Sequence, residues 1–95
     1  MSYVRVVRFT DVTEDRIAGL RQRLEESDGP PEGVVSTGVQ FNYDADQGTA
    51  VVIQKFASMD DLKTSEEVLA AMDPGETPGT RASVDRCEVV AEMDA

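Results

Sequence analysis

Arg5, Gln40, Gln54, Arg86 and Glu88 interrupt stretches of the chain that are otherwise rich in apolar and β-branched residues. If those stretches are strands of one sheet, alternation brings these side chains to one face. Guanidinium and amide N–H groups there would fix a carboxylate, enol or carbonyl oxygen, while Tyr3, Phe9 and Phe56 would supply apolar walls. That is the make-up of a small-molecule cleft. The competing reading is structural: Arg5 or Arg86 pairs with Glu88, within one chain or across a dimer, and so satisfies a charge that assembly would bury. Glu88 is also the one member of this set able to take up a proton as a general base.

The remaining residue types exclude most other chemistry. The chain has no histidine and no tryptophan, so Ser-His and Cys-His nucleophile pairs and the commonest metal ligand are absent. A single cysteine, Cys87, cannot form an intrachain disulfide and, in apolar alternation with Val89 and Ala91, reads as a core thiol. Asp44, Asp46 and Gly48 resemble the opening of a calcium loop. No distal glutamate follows at the required spacing, so they read as a turn, and no metal or cofactor is expected. Glu25, Glu26 and Asp28, and Asp60, Asp61, Glu66 and Glu67, read as caps or solvated helix faces. Nineteen acidic against nine basic residues give a net charge of −10, which disfavours nucleic acid and anionic membrane surfaces as partners. The longest apolar run, Val68 to Met72, is far short of the ~20 residues of a membrane span. A cytoplasmic location is expected.

These residues need elements to position them, and 95 residues suffice for one domain, expected to run from 1 to 95. Tyr3 to Phe9 reads as a strand. Asp11 or Thr13 can cap a helix that runs to about Ser27 with Ile17, Leu20 and Leu24 on one face, stopped by Gly29, Pro30 and Pro31. Val34 to Asp44 and Gly48 to Phe56 read as a hairpin around Asp44–Gly48. Ser58, with Asp61 three residues on, opens a second helix carrying Met59, Leu62, Leu69 and Met72 and ending near Asp73 and Pro74. A loop of Pro, Gly and Thr leads to a last strand, Arg81 to Glu92. The order predicts an α+β, ferredoxin-like βαββαβ fold, with a four-stranded antiparallel sheet and both helices on one face.

Alternation then divides the strand residues. Val4, Val6, Val35, Val39, Phe41, Val51, Ile53, Cys87, Val89 and Ala91, with Thr37 as a polar member, are expected under the helices. Tyr43 joins them in a packing role. The other face would carry Tyr3, Arg5, Val7, Phe9, Gln40, Val52, Gln54, Phe56, Arg86 and Glu88. That face is too apolar to stand in water, so a second copy is expected to cover it.

The chain resembles the dimeric α/β-barrel superfamily, and within it the antibiotic-biosynthesis-monooxygenase-like (ABM-like) domains. The resemblance is carried by Tyr3-Val4-Arg5-Val6-Val7-Arg8-Phe9 leading into a helix, by the Asp44–Gly48 hairpin, and by Ala50-Val51-Val52-Ile53-Gln54-Lys55-Phe56 running into a helix opened by Ser58, Asp60 and Asp61. It implies a homodimer whose sheets pack face to face. Phe56 stands where such domains commonly place tryptophan, and Lys63, Thr64 and Ser65 occupy the stretch where many relatives carry a helix histidine. The expected function is therefore a homodimer binding a small organic or acidic ligand in the inter-sheet cleft, through Arg5, Gln40, Gln54, Phe56, Arg86 and Glu88, without the family's usual catalytic residues. The alternative is a cofactor-independent monooxygenase or isomerase acting on an activated, enolisable or polyketide-like substrate.

Overall fold

A computed structural model describes residues 2–27, 33–71 and 78–94. Strand β1 (Tyr3–Thr10) is followed by helix α1 (Glu14–Glu26), strands β2 (Gly38–Asp44) and β3 (Thr49–Phe56), helix α2 (Met59–Ala70) and strand β4 (Thr80–Glu88). All neighbouring strands are antiparallel, in the order β2-β3-β1-β4. This is the ferredoxin-like α+β fold.

Local chemistry explains the boundaries. Of the two possible caps before α1 it is Thr13 that acts, its side chain accepting from the Arg16 N–H, while Asp11 takes a left-handed turn at φ 56°. Ser58 caps α2 by accepting from the Asp61 N–H at 3.1 Å. The β2–β3 turn closes through the Gly48 N–H to the Asp44 carbonyl at 3.0 Å, and Gly48 adopts φ 64°, a conformation that favours glycine. Asp44 accepts from the Asp46 and Gln47 N–H groups and from the Gln47 amide. The side-chain bond from Gln47 contributes most to holding its carboxyl below the usual range. The apparent calcium motif is thus an aspartate-capped turn.

Several expected bounds shift. Val34 to Thr37 is not strand: Val34 packs with Phe56, Leu62 and Leu69, and the Val35 N–H donates to the fully buried Ser65 hydroxyl at 2.7 Å. A helix side chain satisfies this backbone where a ladder would have. Helix α2 runs to Ala70 and is capped by Ala71, and Met72, expected on its apolar face, lies outside the described residues. The expected stops at Gly29–Pro31 and at Asp73–Pro74 lie outside the described residues. Strand β4 ends at Glu88, with the Val89 N–H donating to the Ser2 carbonyl.

The assignment of faces is corrected. Val7, Phe9, Ala50, Val52 and Phe56 are buried, and so is Arg5, whereas Val4, Val6, Val51 and Ile53 are half-buried and Cys87 is exposed. The helices therefore cover the face that carries Tyr3, Arg5, Val7 and Phe9. Val4, Val6, Val51, Ile53 and Cys87 lie on the uncovered face, and Val35, Val89 and Ala91 lie outside the strands. The hairpin decides part of this. Its turn pairs Phe41 with Val52, and Tyr43 with Ala50, so Val39, Phe41 and Tyr43 share a face with Val52 and not with Val51.

Two apolar clusters form beneath the helices. Val7, Phe9, Val12, Ala50 and Val52 make one, with Ile17, Tyr43 and Val84 packed against it. Val34, Phe56, Leu62 and Leu69 make the other, with Tyr3, Met59 and Val68. Tyr43 has the packing role its alternation suggests. Gly79 locks the start of β4 against the turn after β1: a Cβ there would collide with the Thr10 carbonyl oxygen and come within 3.0 Å of Val12 Cγ2. Gly79→Ala is expected to cost about 2 kcal/mol, because the obstacle is backbone that cannot rotate away. A melting temperature roughly 10 °C lower in a thermal scan would match. An unchanged melting point would show that this turn yields freely. Among the described residues, no helix is long and apolar enough to cross a membrane.

Candidate functional site

Strand register lays the polar residues in a row across the helix-covered face. Val39 opposes Gln54, Gln54 opposes Arg5, and Arg5 opposes Arg86, which spans all four strands. Glu88 lies on the same face opposite Tyr3, exposed at the end of β4. Gln40 opposes Ile53 and points to the uncovered face, so it does not join the others. The expected inter-sheet cleft is therefore not lined by Arg5, Gln54, Phe56 or Arg86. They sit under the helices of their own subunit.

At the centre of the row stands a residue expected on a solvated helix face. Glu66 on α2 reaches down between the two arginines: Arg5 Nε donates to its Oε2 at 3.1 Å, and Arg86 Nε donates to Oε1 at 2.8 Å and Oε2 at 2.7 Å. Arg5 Nη1 also donates to Gln54 Oε1 at 3.0 Å. The charge pair expected with Glu88 is thus made with Glu66 instead. Glu66 falls on α2 beside Ser65 and three residues before Leu69, both buried, so helical periodicity already turns this side of the helix toward the sheet. That spacing is the sequence signal for an inward-facing Glu66.

Electrostatics defines what the group can do. The Arg5 side chain is only 5% exposed, and desolvation pushes its pKa below the ordinary guanidinium value against the favourable contacts with Glu66. Burial alone would raise the Glu66 carboxyl, but bonds from Arg86 and Arg5 and their charges outweigh it and hold the carboxyl below its usual range. A carboxylate so stabilised is a weak base. Its role is to hold two guanidinium groups in place. Glu88, being exposed, lacks the dry surroundings that a carboxylate base would need. Phe56 is fully buried and belongs to the core, not to a ligand-facing wall.

Beside this polar row an apolar strip stays open. On α1 none of the residues is fully buried; Ile17 and Leu20 are half-buried and Leu24 is exposed. On the sheet floor Phe41 is 37% and Val39 47% exposed, although both lie on the helix side. The strip runs from Phe41 through Val39 to Gln54, whose oxygen is committed to Arg5, leaving its amide N–H groups to donate. A separate shallow depression of about 140 Å³ lies at the hairpin end, lined by Asn42, Tyr43, Asp44, Thr49, Ala50 and Val51. Among the described residues, no group of three His, Cys, Asp or Glu side chains could hold a metal ion.

The fold defines the class: a ferredoxin-like α+β domain. The structure of Rv0793 from Mycobacterium tuberculosis matches it with a TM-score of 0.60 at 18% sequence identity, covering 99% of this chain and 100% of that one. This likeness is one of fold. No family model matches the chain, and no curated protein does.

Proposed function

We propose that this chain is an ABM-like domain that forms a homodimer and binds a small organic molecule with a carbonyl or acidic oxygen, without catalysing a reaction through the family's usual residues. The observation that carries the ligand reading is the open apolar strip of Phe41 and Val39 on β2, ending at the Gln54–Arg5–Glu66 row. Apolar walls with a few fixed polar groups at one end are what a small-molecule site requires. The ligand would lie between α1 and β2 of one subunit. Dimerisation is supported by the uncovered face, where Val4, Val6, Val51 and Ile53 form an apolar centre on the two middle strands. Polar Gln40, Asn42, Ser83 and Asp85 surround it.

Native mass spectrometry of freshly purified protein tests both parts. A dimer carrying extra small-molecule mass is expected. Ile53→Asp should give monomers, and Phe41→Asp should lose the bound mass while keeping the dimer. A wild-type monomer would overturn the assembly. A bare dimer whose methyl NMR signals from Leu24 and Val39 ignore an aromatic ketone such as 2-acetylnaphthalene would overturn the ligand site.

A further inference from the structure

The opposite edge of the same face gathers positive charge, and among the described residues only Glu66 pairs with it. In β4 the residues facing the helices are Val84 and Arg86, opposite Val7 and Arg5. Strict alternation would turn Arg81 to the uncovered side. It does not, because the β1–β4 register shifts between Arg8 and Phe9: Arg8 opposes Ser83 while Phe9 opposes Arg81, leaving Ala82 as an extra residue. A bulge of this kind reverses the alternation and re-aims the side chains beyond it. Arg81 thereby joins Phe9, Arg5 and Arg86 on the helix side. Both Arg81 and Arg86 lie close enough to act on the charge of Arg5.

Three arginines thus share this face with Glu66, which pairs with Arg5 and Arg86 and not with Arg81, in a chain whose net charge is −10. Gathering like charges costs energy unless something else neutralises them. Arg86 is held through Nε alone, so its terminal Nη groups are free of protein partners among the described residues, and its side chain is 48% exposed. Arg81 is exposed and enters no ion pair among them. Glu88 shares the face but pairs with neither arginine. A guanidinium fixed at one edge presents its other N–H groups in a set geometry, which suits planar or tetrahedral oxyanions.

We propose that Arg81 and Arg86, aimed by the Ala82 bulge and by Glu66, form a binding site for a small oxyanion with two negative charges, a dicarboxylate or a phosphate group. It lies at the β4 edge, across the sheet from the apolar strip, and does not depend on it. The acidic remainder of the surface repels large polyanions and restricts the site to small ones.

Titrating 15N-labelled protein with malonate and, separately, with inorganic phosphate, at ionic strength held constant with chloride, tests the site. Saturable movement of the Arg81 and Arg86 Nε–H signals is expected with at least one of them, and tighter binding of one identifies the headgroup. Arg81→Gln should weaken that binding about tenfold while leaving the melting temperature without anion unchanged or higher, since a like charge is removed. Shifts that fail to saturate, or saturable binding that Arg81→Gln leaves intact, would overturn the site. Movement at Leu24 and Val39 instead would place the anion in the other cleft and equally overturn it.

Discussion

Glu66→Ala is expected to lower stability by about 3 to 5 kcal/mol, the range found when one member of a buried ion pair is removed and its partner is left uncompensated. Arg5 would keep only the Gln54 oxygen for a guanidinium that is nearly shut off from water. For a domain of this size that corresponds to a fall in melting temperature of roughly 15 °C or more. Glu66→Gln keeps an acceptor but no charge and should fall between. Arg86→Gln should cost far less, because Arg86 is half exposed and its loss still leaves Glu66 paired with Arg5. If Glu66→Ala melted with the wild type, Arg5 would have to reach solvent, and the buried row would be wrong.

The same contact sets a pH dependence. The Glu66 carboxyl titrates below its ordinary value of 4.5 in the folded protein. A carboxyl depressed on folding adds stability that is complete above the unfolded value and is lost as pH falls through the folded one. Wild-type stability should therefore decline in acid below about pH 4.5, and more steeply than that of Glu66→Gln, which has no such proton to bind. Denaturant melts at pH 6 and at pH 3 read this directly: parallel losses in the two proteins would remove Glu66 as the titrating group.

Phe56→Ala is the second change with a large expected effect. Phe56 is 0% exposed and joins Val34, Leu62 and Leu69 across β3, α2 and the segment before β2. Removing a buried phenyl ring costs about 3 to 5 kcal/mol in lost transfer energy and in the cavity left behind. Native domains hold only about 5 to 15 kcal/mol in total, so the variant should be close to unfolding at room temperature. Phe56→Leu keeps much of the volume and should recover over half of the loss. A ring that served a ligand site would behave differently. Its replacement would spare the melting point and alter binding alone.

The element order was legible in the sequence because its signals are local. Thr13 and Ser58 at helix starts, the turn residues Asp44 to Gly48, and runs of β-branched residues each act within a few neighbours. Together they determined a βαββαβ domain and placed Arg5, Gln54 and Arg86 in strands. The absence of histidine removes Ser-His and Cys-His nucleophile pairs.

Which face the helices cover was decided only by the tertiary structure. Strand β1 alternates apolar residues on both sides and carries one arginine on each, Arg5 and Arg8, so its pattern does not choose. An arginine in the middle of a face argues against burial unless a partner comes to it. That partner, Glu66, is 61 residues away and arrives only when α2 docks. Arg81 has the same lesson in smaller form. A single extra residue, Ala82, reverses its side of the sheet, and no local propensity marks it, because a register exists only between two paired strands.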